Sequence, residues 1–297
     1  MYQSDISHSL AQIALELRRT NELLAQNTPQ PPQAPDWEAA IAWRWRAQGH
    51  KRWLAPVTNI RAPLLADLHG IDEQKARLVA NTARFVLGQG ANNVLLSGAR
   101  GTGKSSLIKA VLQHFAPEGL RLIEVDKTDL LELGDILDLL AARPEKFILY
   151  CDDLSFEAGE TNYKALKSVL DGSIAAASSN VLVYATSNRR HLLPETMREN
   201  QSYQHSADGE LHPGEVIEEK ISLSERFGLW LSFYSFSQDQ YLQIAQHWLA
   251  HFGASPTEIE AARGDALLWA LERGARSGRV ARQFAQGWSA KEQSALS

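Results

Sequence analysis

Residues 98–105 read GARGTGKS and fit the pattern G-x-x-x-x-G-K-S/T, the spacing that cradles phosphate groups. Gly98, Gly101 and Gly103 allow the backbone to fold into a nest whose N–H groups point inward, and the helix that follows adds its positive N-terminal end. The phosphate-binding set is Gly98, Ala99, Arg100, Gly101, Thr102, Gly103, Lys104, Ser105 and Ser106. Within it, Lys104 is expected to reach the β- and γ-phosphates and Ser105 to ligate Mg²⁺. The loop sits between the apolar run VLLS (94–97) and the helical stretch SLIKAVLQHF, the strand-to-helix context that the pattern requires.

A second group of residues follows at a distance. FILYCDD ends an apolar run in Asp152 and Asp153, 48 residues after Lys104. Adjacent carboxylates at a strand tip suit a Mg²⁺-linked site beside a phosphate loop. Asp152 is expected to hold the metal through water and Asp153 to orient or activate an attacking water, a task that Glu157 could share. VLVYATSN (181–188) places Asn188 at another strand tip, from which its amide could face a γ-phosphate. SERFG (224–228) puts Arg226 just before the last strand, and RSGRVARQF (276–284) puts Arg279 early on a C-terminal helix.

The elements that must position these groups are legible as periodicities. From Leu64 onward, helical periods alternate with the apolar runs VLLS, LRLIEV (120–125), FILYC (147–151), VLVYAT (181–186) and LSFYSF (231–236). Apolar runs without polar alternation, separated by helix-length segments, indicate a parallel sheet covered on both faces. After Phe236 the signals are helical, with SQDQ (237–240) and SPTE (255–258) both fitting capping boxes. Upstream, Ile6 and Ile13 are seven apart, as are Leu10, Leu17 and Leu24, so 1–26 reads as an amphipathic helix. It is expected to dock on its own body or on a neighbouring subunit. Residues 27–35, NTPQPPQAP, read as an extended linker.

Residues 36–63 are rich in Trp and Arg. Trp37, Trp43, Trp45 and Trp53 interleave with Arg44, Arg46, Lys51 and Arg52. Such a mixture can stack bases and hold phosphates, or form a short helix with tryptophans on the core and arginine stems snorkelling to water. The helix is the expectation. The division is therefore an N-terminal helix (1–26), a linker (27–35), a Trp/Arg-rich helical segment (36–63), an αβα core (64–236) and a helical lid (237–297).

Composition narrows the function classes. The 297 residues carry 30 Lys plus Arg against 35 Asp plus Glu, a formal charge of −5. That balance is unlike a protein built to coat nucleic acid, so any such contact must be local. Cys151, the only cysteine, cannot form an internal disulfide and suits a reducing compartment. It lies in a core strand, where packing is the expected role. No uncharged apolar stretch reaches the ~18 residues of a membrane span, and no signal-like N-terminus is present, so a cytoplasmic protein is expected.

Taken together, the phosphate loop, the Asp-Asp strand, the Asn-tipped strand, an Arg before the fifth strand and an Arg in a helical lid resemble the AAA+ ATPases. The blocks ANNVLLSGARGTGKSSLIKA, FILYCDDLSFE, ATSNRRHL and SERFGLWLSF are similar to a bacterial family of AAA+ ATP-binding proteins of unknown function, over residue 36 to the C-terminus. The resemblance implies a three-layer αβα P-loop NTPase core with a five-stranded parallel sheet in the order 5-1-4-3-2, and ATP with Mg²⁺ between core and lid. It implies that Asn188 is sensor 1, Arg279 sensor 2, and Arg226 an arginine finger reaching the ATP of an adjacent subunit. GID (70–72) looks like the block lining the adenine pocket, with Ile71 the apolar contact. ERGARSGRVARQF and SERFG also resemble blocks of the Holliday-junction branch-migration motor.

One departure bears on rate. Most AAA+ motors end the metal strand in Asp-Glu, whereas Asp-Asp is similar to replication initiators and helicase loaders and implies slow turnover. The expected activity is ATP hydrolysis in a homo-oligomeric ring or filament, driving remodelling or loading of a macromolecular partner, protein or nucleic acid. The alternative is an ATP-gated binding or scaffold module with little or no hydrolysis. Between Asn188 and Arg226 a long polar segment is expected to form a helix, a mobile loop and a return helix. Its histidines His191, His205 and His212 lack metal-ligand spacing.

Overall fold

The computed structural model describes residues 2–27, 32, 34–49, 51–156, 160, 162–172, 179–189, 204–205, 211–212 and 223–295. Five strands, β3 (Val94–Gly98), β4 (Leu120–Glu124), β5 (Lys146–Cys151), β6 (Val181–Ser187) and β9 (Leu229–Phe233), run parallel. Two more, β1 (Ala42–Gln48) and β2 (Lys51–Pro56), extend the sheet, whose order is β2-β1-β4-β5-β6-β3-β9. In the numbering of the five parallel strands alone, this is the expected 5-1-4-3-2. The last strand begins two residues before the LSFYSF run and ends within it, because its pairing partner β3 aligns Val94 with Leu229 and Gly98 with Phe233.

Alternation along each strand divides the core between two faces. Val94, Leu96, Ile148, Tyr150, Tyr184 and Leu231 pack against α2 (Asp72–Val86) and α3 (Lys104–Phe115). Leu95, Phe147, Leu149, Cys151, Val183 and Ala185 pack against α4 (Leu133–Leu140) and α5 (Tyr163–Leu170). Burial of Cys151 pushes its thiol up to about 12, so the residue packs as a small hydrophobe. A polar knot ties α2 to the sheet: the Tyr184 hydroxyl lies 2.8 Å from Thr82 Oγ1 and accepts from Asn81 Nδ2 at 3.2 Å.

After β9 come four helices, α6 (Gln238–His251), α7 (Pro256–Ala261), α8 (Arg263–Glu272) and α9 (Gly278–Ala295). Both capping boxes form. Ser237 Oγ accepts from Gln240 N while Gln240 Oε1 accepts from Ser237 N, and Ser255 and Glu258 repeat the exchange with Pro256 at the first helical position. The Tyr241 hydroxyl donates to the Ala266 carbonyl at 3.1 Å, fastening α6 to α8.

The Trp/Arg-rich segment corrects the expected helix: it is an antiparallel hairpin, β1 and β2, whose first strand also pairs parallel to β4. Trp43 and Trp45, both 0% exposed, share the face that packs against the α4 layer. Arg44 points to the other face and makes two hydrogen bonds to Glu124, at 2.7 and 3.0 Å. The arrangement has period two, and the free edge of β4 converts that short alternation into a strand. Trp45 Nε1 donates to Glu132 Oε2 at 2.6 Å, and Arg52 pairs with Glu132 Oε1 at 2.6 Å. With both rings committed to the core, Trp43 and Trp45 are not available to stack bases.

Helix α1 (Tyr2–Asn27) forms, and among its described side chains the apolar stripe does not pack on the body. Leu10, Ile13 and Leu17 are 60%, 56% and 58% exposed. Most of the linker and of the stretch after Asn188 lies outside the described residues, as do Glu157 and His191. Within that stretch a two-residue ladder pairs β7 (Gln204–His205) with β8 (Leu211–His212) where a loop was expected. No helix among the described residues is long and apolar enough to cross a membrane.

Candidate active site

The site lies at the carboxyl ends of the parallel strands, where open α/β sheets bind ligands. Strand β3 must end in glycine. Gly98 has φ +126°, and a Cβ there would stand 1.9 Å from the Phe233 carbonyl oxygen. Ala99 N donates to that oxygen at 3.1 Å, which turns the chain away from the sheet. Gly101 (φ +74°) and Gly103 (φ +100°) complete the turn, Thr102 Oγ1 closes it on the Ala99 carbonyl at 2.8 Å, and Gly103 caps α3.

Lys104 is 6% exposed, and its Nζ donates to the carbonyls of Gly98 and Ala99 at 2.8 Å each and to Asn188 Oδ1 at 3.0 Å. Burial pushes the ammonium below the usual lysine value, against the pull of Asp153 and Asp152. Asn188 in turn donates through Nδ2 to Asp153 Oδ1. One amide thus bridges the phosphate-loop lysine and the second aspartate of the Asp-Asp strand.

The first aspartate is held more firmly. Asp152 Oδ1 accepts from Ser105 Oγ at 2.7 Å and from Thr186 Oγ1 at 2.6 Å. Burial works to raise its pKa, but the hydrogen bonds it accepts, led by that of Thr186, outweigh burial and hold the carboxylate below the usual range. Thr186 also accepts from the backbone N–H of Asp153 at 2.9 Å. Asp153 has φ +50°, the only non-glycine residue with positive φ among the described residues. Backbone strain of this kind clusters at functional sites, and here a buried hydroxyl pins it.

These groups open into a cavity of about 780 Å³, within the range of small-molecule sites. Its phosphate end is lined by Arg100, Gly101, Thr102, Gly103, Lys104, Ser105 and Ser106 with Asp152, Asp153 and Asn188; its other end by Ile71, His69, Phe236, Ile244 and Trp248. Five cations (Arg61, Arg100, Lys104, Arg279, Arg282) face three carboxylates (Asp67, Asp152, Asp153), a local positive excess in a chain of net charge −5. The start of α9 closes one wall: Arg279 N donates to the Gly101 carbonyl at 3.4 Å, and a Cβ on Gly101 would meet Ser277 Oγ at 2.8 Å.

Most of the expected residues therefore converge. Gly98 and Ala99 stand behind the cavity wall, where their carbonyls anchor Lys104. Arg226 is not among the cavity's lining residues and pairs with Asp171 at the end of α5. Sequence reasoning missed Thr186, although it lies two residues before Asn188 in VLVYATSN, and Arg282, three residues after Arg279 on the same helix. It also missed the ring pair His69 and His247, whose centroids are 4.3 Å apart.

The donor set fits a magnesium nucleotide. The hydroxyl of Ser105 and the ionised carboxylate of Asp152 are hard oxygen ligands, as Mg²⁺ prefers, and the glycine cradle with its lysine suits a polyphosphate.

Two structures of RuvB variants from Thermotoga maritima share the fold. One has a TM-score of 0.53 at 16% identity, covering 76% of this chain and 64% of that one. The other has 0.51 at 18% identity, covering 76% and 65%. The chain thus spans slightly under two thirds of these structures' length, and at such identity the likeness concerns the fold. No curated protein matches the sequence. Residues 38–292 match the family described as "Protein of unknown function (DUF815)". The chain belongs to that family, with an α/β fold resembling that of the RuvB structures.

Proposed function

We propose that the protein binds and hydrolyses Mg-ATP at an interface between copies of itself and uses the cycle to remodel or load a macromolecular partner. The observation that carries this reading is the hydrogen-bonded chain from Lys104 through Asn188 to Asp153, set beside Ser105, Asp152 and Thr186 at one end of the cavity.

In this reading the nest from Gly98 to Ser106 receives the phosphates, and Lys104 exchanges its carbonyl partners for phosphate oxygens. Ser105 and Asp152 would hold the magnesium ion, which screens the phosphate charge when bound. Asp153 orients the attacking water, and Asn188 reports the γ-phosphate because it touches both Lys104 and Asp153. Ile71 offers an apolar contact to the base, and Arg279 brings the lid to the phosphates. Arg226 serves the site of a neighbouring copy and leaves Asp171 to do so.

A second reading, an ATP-gated binding module with little hydrolysis, is favoured by the engagement of Asp153 with Asn188, which occupies the carboxylate that would handle water. One experiment separates the two: ATP hydrolysis against protein concentration for wild type and Arg226→Ala, with mass followed by light scattering. Specific activity that rises with assembly and vanishes in the variant supports the hydrolase. ATP binding with flat activity near zero supports the gated module, and normal turnover in Arg226→Ala removes the finger role.

A further inference from the structure

We propose that α1 is a self-association helix that winds in parallel with α1 of other copies of this chain, whether or not nucleotide is bound. The inference does not depend on the ATPase reading. Ile6, Leu10, Ile13, Leu17 and Leu24 recur at alternating steps of four and three, with Thr20 completing the pattern. That is a period of 3.5 residues, the repeat of a supercoiled seam rather than the broader 3.6-residue face by which a helix covers a globular body.

The structure leaves the described part of this seam uncovered. Leu10, Ile13 and Leu17 are more than half exposed, on a helix of 26 residues. The stripe runs from Ile6 to Leu24, just under three heptads, a length at which a lone helix is marginal and gains its stability from packing against partners. The positions flanking the stripe are Ser7, Ser9, Ala14, Glu16, Asn21 and Leu23. In parallel register Glu16 of one copy therefore meets Asn21 of the next, and no like charges oppose pairing. Leucine at the first core position and isoleucine at the second favour three or four strands over two. The body offers no matching seam among the described residues: its exposed apolar side chains are scattered, and the pair Leu268 and Leu271 spans a single turn of α8. A second copy is the partner whose seam repeats the same period.

The test uses the full chain without nucleotide. Light scattering on wild type should give a mass above one chain, retained in Leu15→Asp, which lies off the stripe, and reduced in the double variant Leu10→Asp, Leu17→Asp. Thermal melts check that each variant is folded. Because Cys151 is buried, engineered thiols report cleanly: Leu17→Cys should cross-link between copies under mild oxidation several times faster than Leu15→Cys. A single-chain wild type overturns the proposal, and is also the outcome expected if α1 instead serves a membrane surface or a different protein. Equal cross-linking rates at the two positions, or a double variant of unchanged mass, overturn it too. Loss of ATP hydrolysis would leave it standing.

Discussion

Thr186→Val removes one hydroxyl and nearly nothing else. That hydroxyl donates to Asp152 Oδ1 at 2.6 Å and accepts from Asp153 N at 2.9 Å, in a side chain that is 1% exposed. A hydrogen bond to a charged group contributes about 1.5–3 kcal/mol, and the part-buried Asp153 N–H also loses its partner. The fold should therefore lose about 3 kcal/mol, visible as a lower urea midpoint. Only the share of this energy that differs between the metal-bound and metal-free states reaches the site's function. Asp152 keeps its bond from Ser105, so about half is a fair share, roughly 1.4 kcal/mol or tenfold in affinity. The assay is a Mg²⁺ titration of ATP turnover, or of fluorescent-nucleotide binding if turnover is slow, with metal-free nucleotide binding as the control. Thr186→Val should need about ten times more Mg²⁺ while binding metal-free nucleotide normally, and Thr186→Ser should restore the wild-type titration. A wild-type Mg²⁺ requirement in the valine variant, or a serine variant no better than valine, would refute a positioning role for this hydroxyl.

Lys104→Ala leaves the loop's carbonyls without their cation and should weaken ATP binding by about a hundredfold or more, roughly 2.7 kcal/mol, measured by nucleotide fluorescence. Gly98→Ala places a methyl group 1.9 Å from the Phe233 carbonyl oxygen. Separating β3 from β9 should cost about 3 kcal/mol or more, so the variant should be insoluble or melt far below wild type, and a wild-type melt would refute the close approach of Gly98 to Phe233. Burial, with His247 and Lys75 nearby, holds the His69 imidazole below its ordinary value, against Asp72 and Asp67. A lowered histidine adds stability that is present above its unfolded pKa of about 6.5 and is lost as the pH falls toward its folded value. His69→Gln should thus flatten the decline in unfolding free energy as the pH falls below that point. The Asp152 carboxylate, also lowered, acts further down: its stabilisation is present above the usual carboxylate range and is lost as the pH falls through its depressed value. Thr186→Val should move that loss to higher pH.

Local chemistry was legible wherever a function needs fixed residue types at fixed short spacing. GARGTGKS announces a phosphate nest because only glycine tolerates the backbone of Gly101 and Gly103 and only a long cation reaches past the loop. The buried runs ending in Asp152 and Asn188 read as strands because parallel strands covered on both faces need no polar alternation. The capping boxes at Ser237 and Ser255 are local hydrogen-bond exchanges and formed as read.

What tertiary structure alone decided is which groups meet. Trp43 and Trp45 became strand residues because β4 offers an unpaired edge and the α4 layer offers a cover, neither of which is visible in an 18-residue window. Thr186 matters because β5 and β6 lie side by side, so a hydroxyl 34 positions from Asp152 stands within hydrogen-bond reach of it. Arg226 is paired with Asp171, 55 positions away, an encounter that no spacing rule contains. Periodicity is a property of one element and survives in the sequence; contact between elements is a property of their packing, which depends on every other element that has a face to bury.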